Sequence, residues 1–414
     1  MRSRTLAVLF ALFAALGGVV ILGASQPAPG SLTETWVSDT PRENRVNHHA
    51  VGVGPAGEVV VAPVAELPGG GVSLTDTSCA LVRLDPADGS TLWRRGVPAT
   101  DCFTHALTEP ALADVDGDGG LEVAVSTTEE ALVVRDAATG AEQWRVPLST
   151  YGYGRPTVAN LTAAPGPEVV TSDIDATVVA ATADGSTLWR RPLNATAWQH
   201  PAVWAAPLVD DFDADDQPEV LVGTNRGPAV LGADGSVEWR RNGSATYVAT
   251  ARVDADPAVE VFTAGAAAIR AYDGASGNLT WARELPNGRI RTAADGDADG
   301  TVEVYVGQVG GTVLALNART GATEWSTTVA AGDDVTVPPP TLGDVDGDGR
   351  SEVVAATSAG IVSVLDPASG AEIGAYGRDV PVWTFPTPAD TDGDGTAEVL
   401  VRYGDGRVVA LSYG

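Results

Sequence analysis

Asp114-Val115-Asp116-Gly117-Asp118-Gly119-Gly120-Leu121-Glu122, followed by a glycine turn at Gly140 and a tryptophan at Trp144, is the phrase on which the reading of this chain turns. The loop returns as Asp295-Gly296-Asp297-Ala298-Asp299-Gly300-Thr301-Val302-Glu303, as Asp344-Val345-Asp346-Gly347-Asp348-Gly349-Arg350-Ser351-Glu352 and as Asp390-Thr391-Asp392-Gly393-Asp394-Gly395-Thr396-Ala397-Glu398. The tryptophan returns at Trp36, Trp93, Trp189, Trp239, Trp281 and Trp325. A phrase repeating in one frame marks a chain built from one small unit stacked many times.

The glutamate that closes each loop counts the units. It stands at Glu58, Glu122, Glu168, Glu219, Glu260, Glu303, Glu352 and Glu398, at intervals of 41 to 64 residues, which makes eight. Within a unit an apolar stretch ends in Pro-x-x-x-Asp and the acidic loop follows. Then come short apolar runs such as 121–126 and 131–135, the glycine turn and the tryptophan run. Four short strands per unit, separated by Gly and Asp turns, predict a propeller blade. The last unit stops after its third strand at 408–411, and an unpaired strand with Trp36 lies at 32–37. The expected fold is therefore all-β: an eight-bladed β-propeller of four-stranded blades over residues 32–414, its ring closed by the N-terminal strand completing the last blade.

The turn-and-tryptophan phrase, as in Leu84 to Trp93 and Leu316 to Trp325, resembles the repeat of PQQ-like propellers, named for pyrroloquinoline quinone. The acidic loop resembles the FG-GAP repeat of integrin alpha-chain propellers. Together the two resemblances span residues 32–414. In PQQ-like propellers the repeat tryptophans dock one blade on the next. The resemblance implies that role for Trp36, Trp93, Trp144, Trp189, Trp239, Trp281 and Trp325. Blade seven has Ile373 at the tryptophan position, so a weaker seam is expected there. Trp198, Trp204 and Trp383 fall outside the repeat.

All 25 basic residues are arginine, and against 54 acids they leave a net charge of −29. Such a surface argues against nucleic acid or an anionic membrane as the main partner. High salt, which screens repulsion within a few ångströms, explains it in part, and the pattern resembles haloarchaeal proteins. Bound cations explain another part. Arg2 and Arg4 precede an apolar run from Leu6 to Ala24, so residues 1–25 read as a signal peptide or a retained N-terminal membrane anchor, and 26–31 as a short linker. Either way the propeller is expected outside the cytoplasm, secreted or at the cell surface. Sequons at Asn160, Asn194, Asn242 and Asn278 agree. In an oxidising compartment Cys79 and Cys102, the two cysteines of the chain, are expected to form a disulfide worth roughly 3 kcal/mol.

Calcium takes six to eight oxygen ligands in a tight turn, and carboxylates at positions 1, 3 and 5 with glycine at 6 supply three of them. Here a fourth acid stands at position 9 and a strand follows directly. The candidate metal ligands are Asp114, Asp116, Asp118 and Glu122; Asp211, Asp213, Asp215 and Glu219; Asp295, Asp297, Asp299 and Glu303; Asp344, Asp346, Asp348 and Glu352; and Asp390, Asp392, Asp394 and Glu398. In the second set Asp216 fills the glycine slot, which aspartate tolerates better than most residues. Glu58 and Glu168 persist where the aspartates are gone, so the glutamate is also expected to serve the fold by accepting backbone N–H bonds. Blade five, shortened to Asp254-Ala255-Asp256-Pro257, is not expected to bind metal. The calcium is read as structural, in up to five sites.

Three function classes compete: a non-catalytic binding or scaffold module for a protein or glycan; a PQQ-dependent dehydrogenase; and a calcium-dependent polysaccharide lyase or hydrolase. Quinoprotein enzymes often place adjacent cysteines beside the cofactor, whereas Cys79 and Cys102 are 23 residues apart, so PQQ is not expected. No acid and arginine cluster stands out for the third class, and the binding module is the leading reading, without catalytic residues. Because blade strands alternate direction, acidic loops and glycine turns share one end of the ring. The irregular segments, 65–78 and 97–103, share the other. Counting back by odd offsets from the first loop position gives His105, Glu109, Tyr153, Arg155, Trp204, Trp383 and Phe385 as the side chains expected to line the channel and hold a ligand. The Trp-Arg-Arg runs place Arg94, Arg190 and Arg240 as outer-edge charges that discourage strand pairing with other molecules.

Overall fold

The computed structural model describes residues 30–40, 49–66, 78–102, 105–193, 200–255 and 257–414. The expected leader at 1–25, most of the linker, residues 67–77 of the insertion, Asn194, Trp198 and Asp256 lie outside them. Eight four-stranded antiparallel sheets form the ring. Blade two shows the plan, from the axis outward: Ala111–Ala113, Glu122–Thr127, Ala131–Asp136 and Glu142–Pro147. In blade eight the outermost strand is Leu32–Val37, paired with Val408–Tyr413 so that Leu32 faces Tyr413 and Val37 faces Val409. Ser31 and Gly414 lock the closure by exchanging backbone hydrogen bonds of 3.0 and 3.1 Å.

The second and third strands of each blade are covered on both faces by neighbouring blades, so they are continuous apolar runs, not alternating ones. Val123, Ala124 and Val125 with Leu132, Val133 and Val134 are all buried. The apolar side chains of the described residues fall into eight clusters, one per seam. Val61 and Leu81 of blade one, for example, pack with Val125 and Val133 of blade two.

The seams carry a second, specific device. Each repeat tryptophan lies under the turn glycine of the next blade: Gly89 on Trp36, Gly140 on Trp93, Gly185 on Trp144, Gly235 on Trp189, Gly277 on Trp239, Gly321 on Trp281 and Gly370 on Trp325. A Cβ on any of these glycines would stand 2.4 to 2.9 Å from the indole, and each has a positive φ. Close approach and left-handed backbone both demand glycine there. Six of the indoles donate Nε1 to a turn carbonyl of the next blade, as Trp93 does to Ala137 at 2.9 Å and Trp239 to Gly274 at 2.6 Å. A one-residue bulge in the outer strand just before the tryptophan sets its aim, as between the pairs Val134 with Trp144 and Arg135 with Glu142.

The seventh seam corrects the sequence reading. In blade seven the bulged residue is Ile373, and the residue opposite Val364, where the other blades have tryptophan, is Gly374. The ring comes from the other side: Tyr413 of blade eight fills the space over Gly374 and donates its hydroxyl to the Ile373 carbonyl at 3.1 Å. Tyr376 adds a 2.6 Å hydrogen bond to Glu34. The seam is inverted in polarity, not left open.

The arginine runs also reach across the seams. The arginine two places after the tryptophan clamps the next blade's turn: Arg95 on Gly140, Arg191 on Gly235, Arg241 on Ser276 and Arg283 on Gly321, all through carbonyl oxygens. Arg190 reaches back to the Pro147 carbonyl at 2.5 Å. These guanidiniums staple blades.

Cys79, at the start of the third strand of blade one, is bonded to Cys102 in the link to blade two, with Cα atoms 5.4 Å apart. Both are buried at the end of the ring away from the acidic loops. Replacing both by serine removes a chain constraint worth about 3 kcal/mol. Hydrogen exchange should then accelerate in residues 78–102 and leave the acidic loops protected; uniform acceleration around the ring would show that the bridge braces more than its own blade.

Candidate functional site

The first and second strands of a blade are joined by the acidic loop. Five such loops bring one oxygen from each of three acids within 4.8 Å of one another: Asp114, Asp116 and Asp118; Asp211, Asp213 and Asp215; Asp295, Asp297 and Asp299; Asp344, Asp346 and Asp348; and Asp390, Asp392 and Glu398. In blade eight Asp394 is outside the cluster and accepts the Thr396 N–H at 2.8 Å. The first aspartate shapes the turn with both oxygens, as Asp114 accepts from Gly117 and Gly119. Position 6 is left-handed in every case, and Asp216 takes it with φ of +68°. Position 4 is left-handed too, which the sequence pattern did not reveal, because Ala214 and Ala298 occupy it in two blades.

The closing glutamate is buried in six blades, as Glu122, Glu168, Glu219, Glu303, Glu352 and Glu398, whereas Glu260 is half-buried and Glu58 exposed. The glutamate carboxylate accepts the N–H of the residue seven places earlier in seven blades: Val115, Leu161, Phe212, Val253, Gly296, Val345 and Thr391. Glu168 and Glu260 do so without an aspartate triad beside them, so this bond belongs to the fold. Burial, with the charge of nearby acids behind it, pushes Glu219, Glu303 and Glu352 up to about 7 although the backbone donors pull the other way.

The innermost strands run toward the acidic-loop end, so residues preceding them lie toward the opposite mouth. Glu109, Tyr153, Arg155, Trp204, Trp383 and Phe385 line one cavity of about 830 Å³ there, and His105 packs behind it with its ring 4.5 Å from Tyr153. They form two levels. At the mouth stand Trp204 and Trp383, 37% and 43% exposed, with Tyr153. Burial pushes the Tyr153 phenol up to about 12, so it remains a hydrogen-bond donor at any ordinary pH. Two residues further in, a bar of side chains crosses the axis. Glu109 on blade two takes Arg291 from blade six at 3.0 Å and Arg155 from blade three at 3.4 Å, and Arg291 lies 3.9 Å over the Phe385 ring. Desolvation lowers the pKa of Arg291, and the Glu109 charge opposes that shift. Beyond the bar a second cavity of about 550 Å³ opens toward the acidic loops, sharing Glu109, Arg155, Arg291 and Phe385 with the first. Threonines on the inner strands tie adjacent blades around the channel, as Thr157 to the Pro207 carbonyl at 2.5 Å and Thr341 to that of Pro386 at 3.1 Å.

Sequence reasoning missed Arg291, Tyr247 and His49. Arg291 stands at an even offset from Asp295, but an extra residue in its strand, between Ile290 and Ala293, reverses the parity. Tyr247 obeys the odd-offset rule once the frame of blade five is set by Glu260. His49 precedes a blade whose loop is a tight turn, Gly57 to Gly54, so no loop position counts back to it.

The sequence pattern of the family described as outer membrane protein assembly factor BamB matches residues 43–163, 79–192, 174–370 and 298–413. No individual curated protein matches the chain. Among solved structures, BamB from Moraxella catarrhalis is similar at 17% identity, over 92% of this chain and 97% of that one, with a TM-score of 0.59. Quinohemoprotein alcohol dehydrogenase from Comamonas testosteroni is similar at 13% identity, over 92% and 76%, with a TM-score of 0.65. A computationally designed protein, Ika8, aligns at 15% identity over 92% and 99%, with a TM-score of 0.61. These likenesses are of fold, whereas the repeat match runs through blade after blade of the sequence, and on that ground the chain belongs to the BamB family of repeat propellers.

Proposed function

We propose that this propeller is a non-catalytic binding or scaffold module, acting outside the cytoplasm, whose ligand is a protein or glycan held at the mouth opposite the acidic loops. The observation that carries it is the cavity behind Trp204 and Trp383. Exposed tryptophans around a concave mouth supply the large, stiff contact area on which recognition surfaces are built. The carboxylate in its wall, Glu109, is committed to two guanidiniums and is poorly placed to move protons. The buried disulfide suits an oxidising compartment. A quinone cofactor gains no support from these residues, because the bar occupies the axis and the cysteines are bridged in a seam.

The same reading assigns calcium to the acidic loops. Three carboxylate oxygens already gathered within 4.8 Å, on a turn with two left-handed residues, suit a hard cation that takes oxygen ligands. Ala214, Ala298 and Asp216 hold left-handed backbone at a cost of about 1 kcal/mol or more each, which a bound ion would offset. Asp114, Asp116 and Asp118, and their counterparts, would hold it. The ion supplies charge neutralisation and a fixed turn, and Glu122 and its equivalents close the loop from behind. Sequons at Asn160, Asn242 and Asn278, like the leader, fit an extracytoplasmic site.

A photo-crosslinking residue placed at Trp383, and in a second protein at Arg350 on the acidic-loop end, tests the assignment in living cells. Adducts should form at position 383 and not at 350. The reverse pattern, or vigorous dye reduction on adding PQQ and calcium to the purified protein with an alcohol, would overturn the reading.

A further inference from the structure

From the chemistry of the mouth cavity, and resting on the binding role just proposed, we infer that its ligand is the end of a carboxylate-bearing saccharide chain, a uronate-type glycan.

The cavity has an aromatic mouth and a charged floor formed by the bar. With the bar of Glu109, Arg155 and Arg291 lying across the ring, a linear polymer would meet those charges with its end. A volume of about 830 Å³ lies in the range, roughly 300–1,000 Å³, that encloses a drug-sized molecule, so a short run of sugar rings fits. The walls include the aliphatic Leu208, Val209, Val248 and Ile290, so their polar and aromatic groups are what set a saccharide apart from an apolar peptide anchor. They combine the faces of Trp204 and Trp383, on blades four and eight of an eight-membered ring, with the hydroxyl groups of Thr246, Thr250, Thr384 and Tyr247. A sugar ring has the matching form: a flat face of C–H groups for an indole and a rim of hydroxyls for the threonines.

The floor supplies the charge preference. Two guanidiniums share the one carboxylate of Glu109, which leaves one unit of positive charge uncompensated within the bar. Arg155 is 39% exposed at its side chain and Arg291 32%, so both still meet the cavity solvent. Guanidinium forks recognise carboxylates by paired, charge-assisted hydrogen bonds. The molecule as a whole carries −29, which repels an anion at long range, yet at 0.15 M salt that field fades within about 8 Å. Inside the cavity the arginines decide.

The test is calorimetric titration of the full chain at 0.15 M salt with tetraglucuronate and with its fully methyl-esterified form, which keeps the rings and removes the charges. The acid form should bind, the ester about tenfold or more weakly, and Trp383→Ala should weaken binding of both by a similar factor. Trp383 is exposed, so this variant should keep the melting temperature of the parent. Arg155→Gln should erase the difference between acid and ester while sparing the ester. Equal affinity for acid and ester overturns the charge assignment. Binding of neither saccharide, with crosslinks still forming at position 383, overturns the saccharide inference and leaves the binding role standing. Crosslinks confined to position 350 overturn both.

Discussion

Stripping calcium from the folded protein at fixed salt should lower its melting temperature by roughly 15 °C or more. An ion bound to the native state and not to the unfolded chain stabilises by about 2.7 kcal/mol when free calcium is a hundredfold above its dissociation constant. Five loops hold acid clusters of the required form, and a ring whose blades share cores with both neighbours loses them together. For a domain of this size each kcal/mol moves the midpoint by about 1–2 °C. Calorimetry with and without chelator gives the shift, and elemental analysis gives the number of ions. An unchanged melting curve, or fewer than three tightly held ions, would sink the assignment. Changing Asp346 and Asp348 to alanine should remove one ion and loosen blade seven first, because Glu352 still closes that loop through the Val345 N–H and keeps the strand in register.

The division of labour inside those loops shows what a sequence can and cannot disclose. Periodicity revealed the ring, the blade count and its closure, because each depends on patterns repeated eight times. The persistence of Glu168 in a loop without aspartates disclosed its structural role, which its bonds to Leu161 and Thr162 make visible. Parity from the loop start brought six residues of four different strand entries to one cavity, since inward and outward side chains alternate along a strand. What failed did so through single-residue departures from the repeat. One extra residue beside Ile290 hid Arg291, and one bulged residue moved the equivalent of the tryptophan from Ile373 to Gly374. Contacts that cross the ring are invisible for a different reason: Glu109 and Arg291 are 182 residues apart and meet because blades two and six are opposite in a ring of eight.

Trp239→Ala should be the costliest single substitution outside the metal loops, at about 3–5 kcal/mol. The indole is buried between blades four and five, packed in a cluster with Leu221, Val230, Val261 and Tyr272. Its loss opens a cavity at a seam where the partner cannot collapse, because Gly277 above it is fixed at φ of +64° and has no side chain to fill the gap. The Gly274 carbonyl loses its donor, and Arg241, 5.6 Å from the ring, loses the surface over which it reaches Ser276. Trp204→Ala is the matched control: the same atoms are removed from an exposed site, so stability should change by less than about 0.5 kcal/mol. Tyr413→Ala tests the inverted seam, and should resemble Trp239→Ala, because the Tyr413 ring, with the Gly30 carbonyl beside it, fills the space above Gly374. Denaturant midpoints of the three variants decide the matter. If Trp239→Ala and Trp204→Ala lie within 1 kcal/mol of each other, the seams are held by their aliphatic cores and the tryptophan repeat has some other purpose.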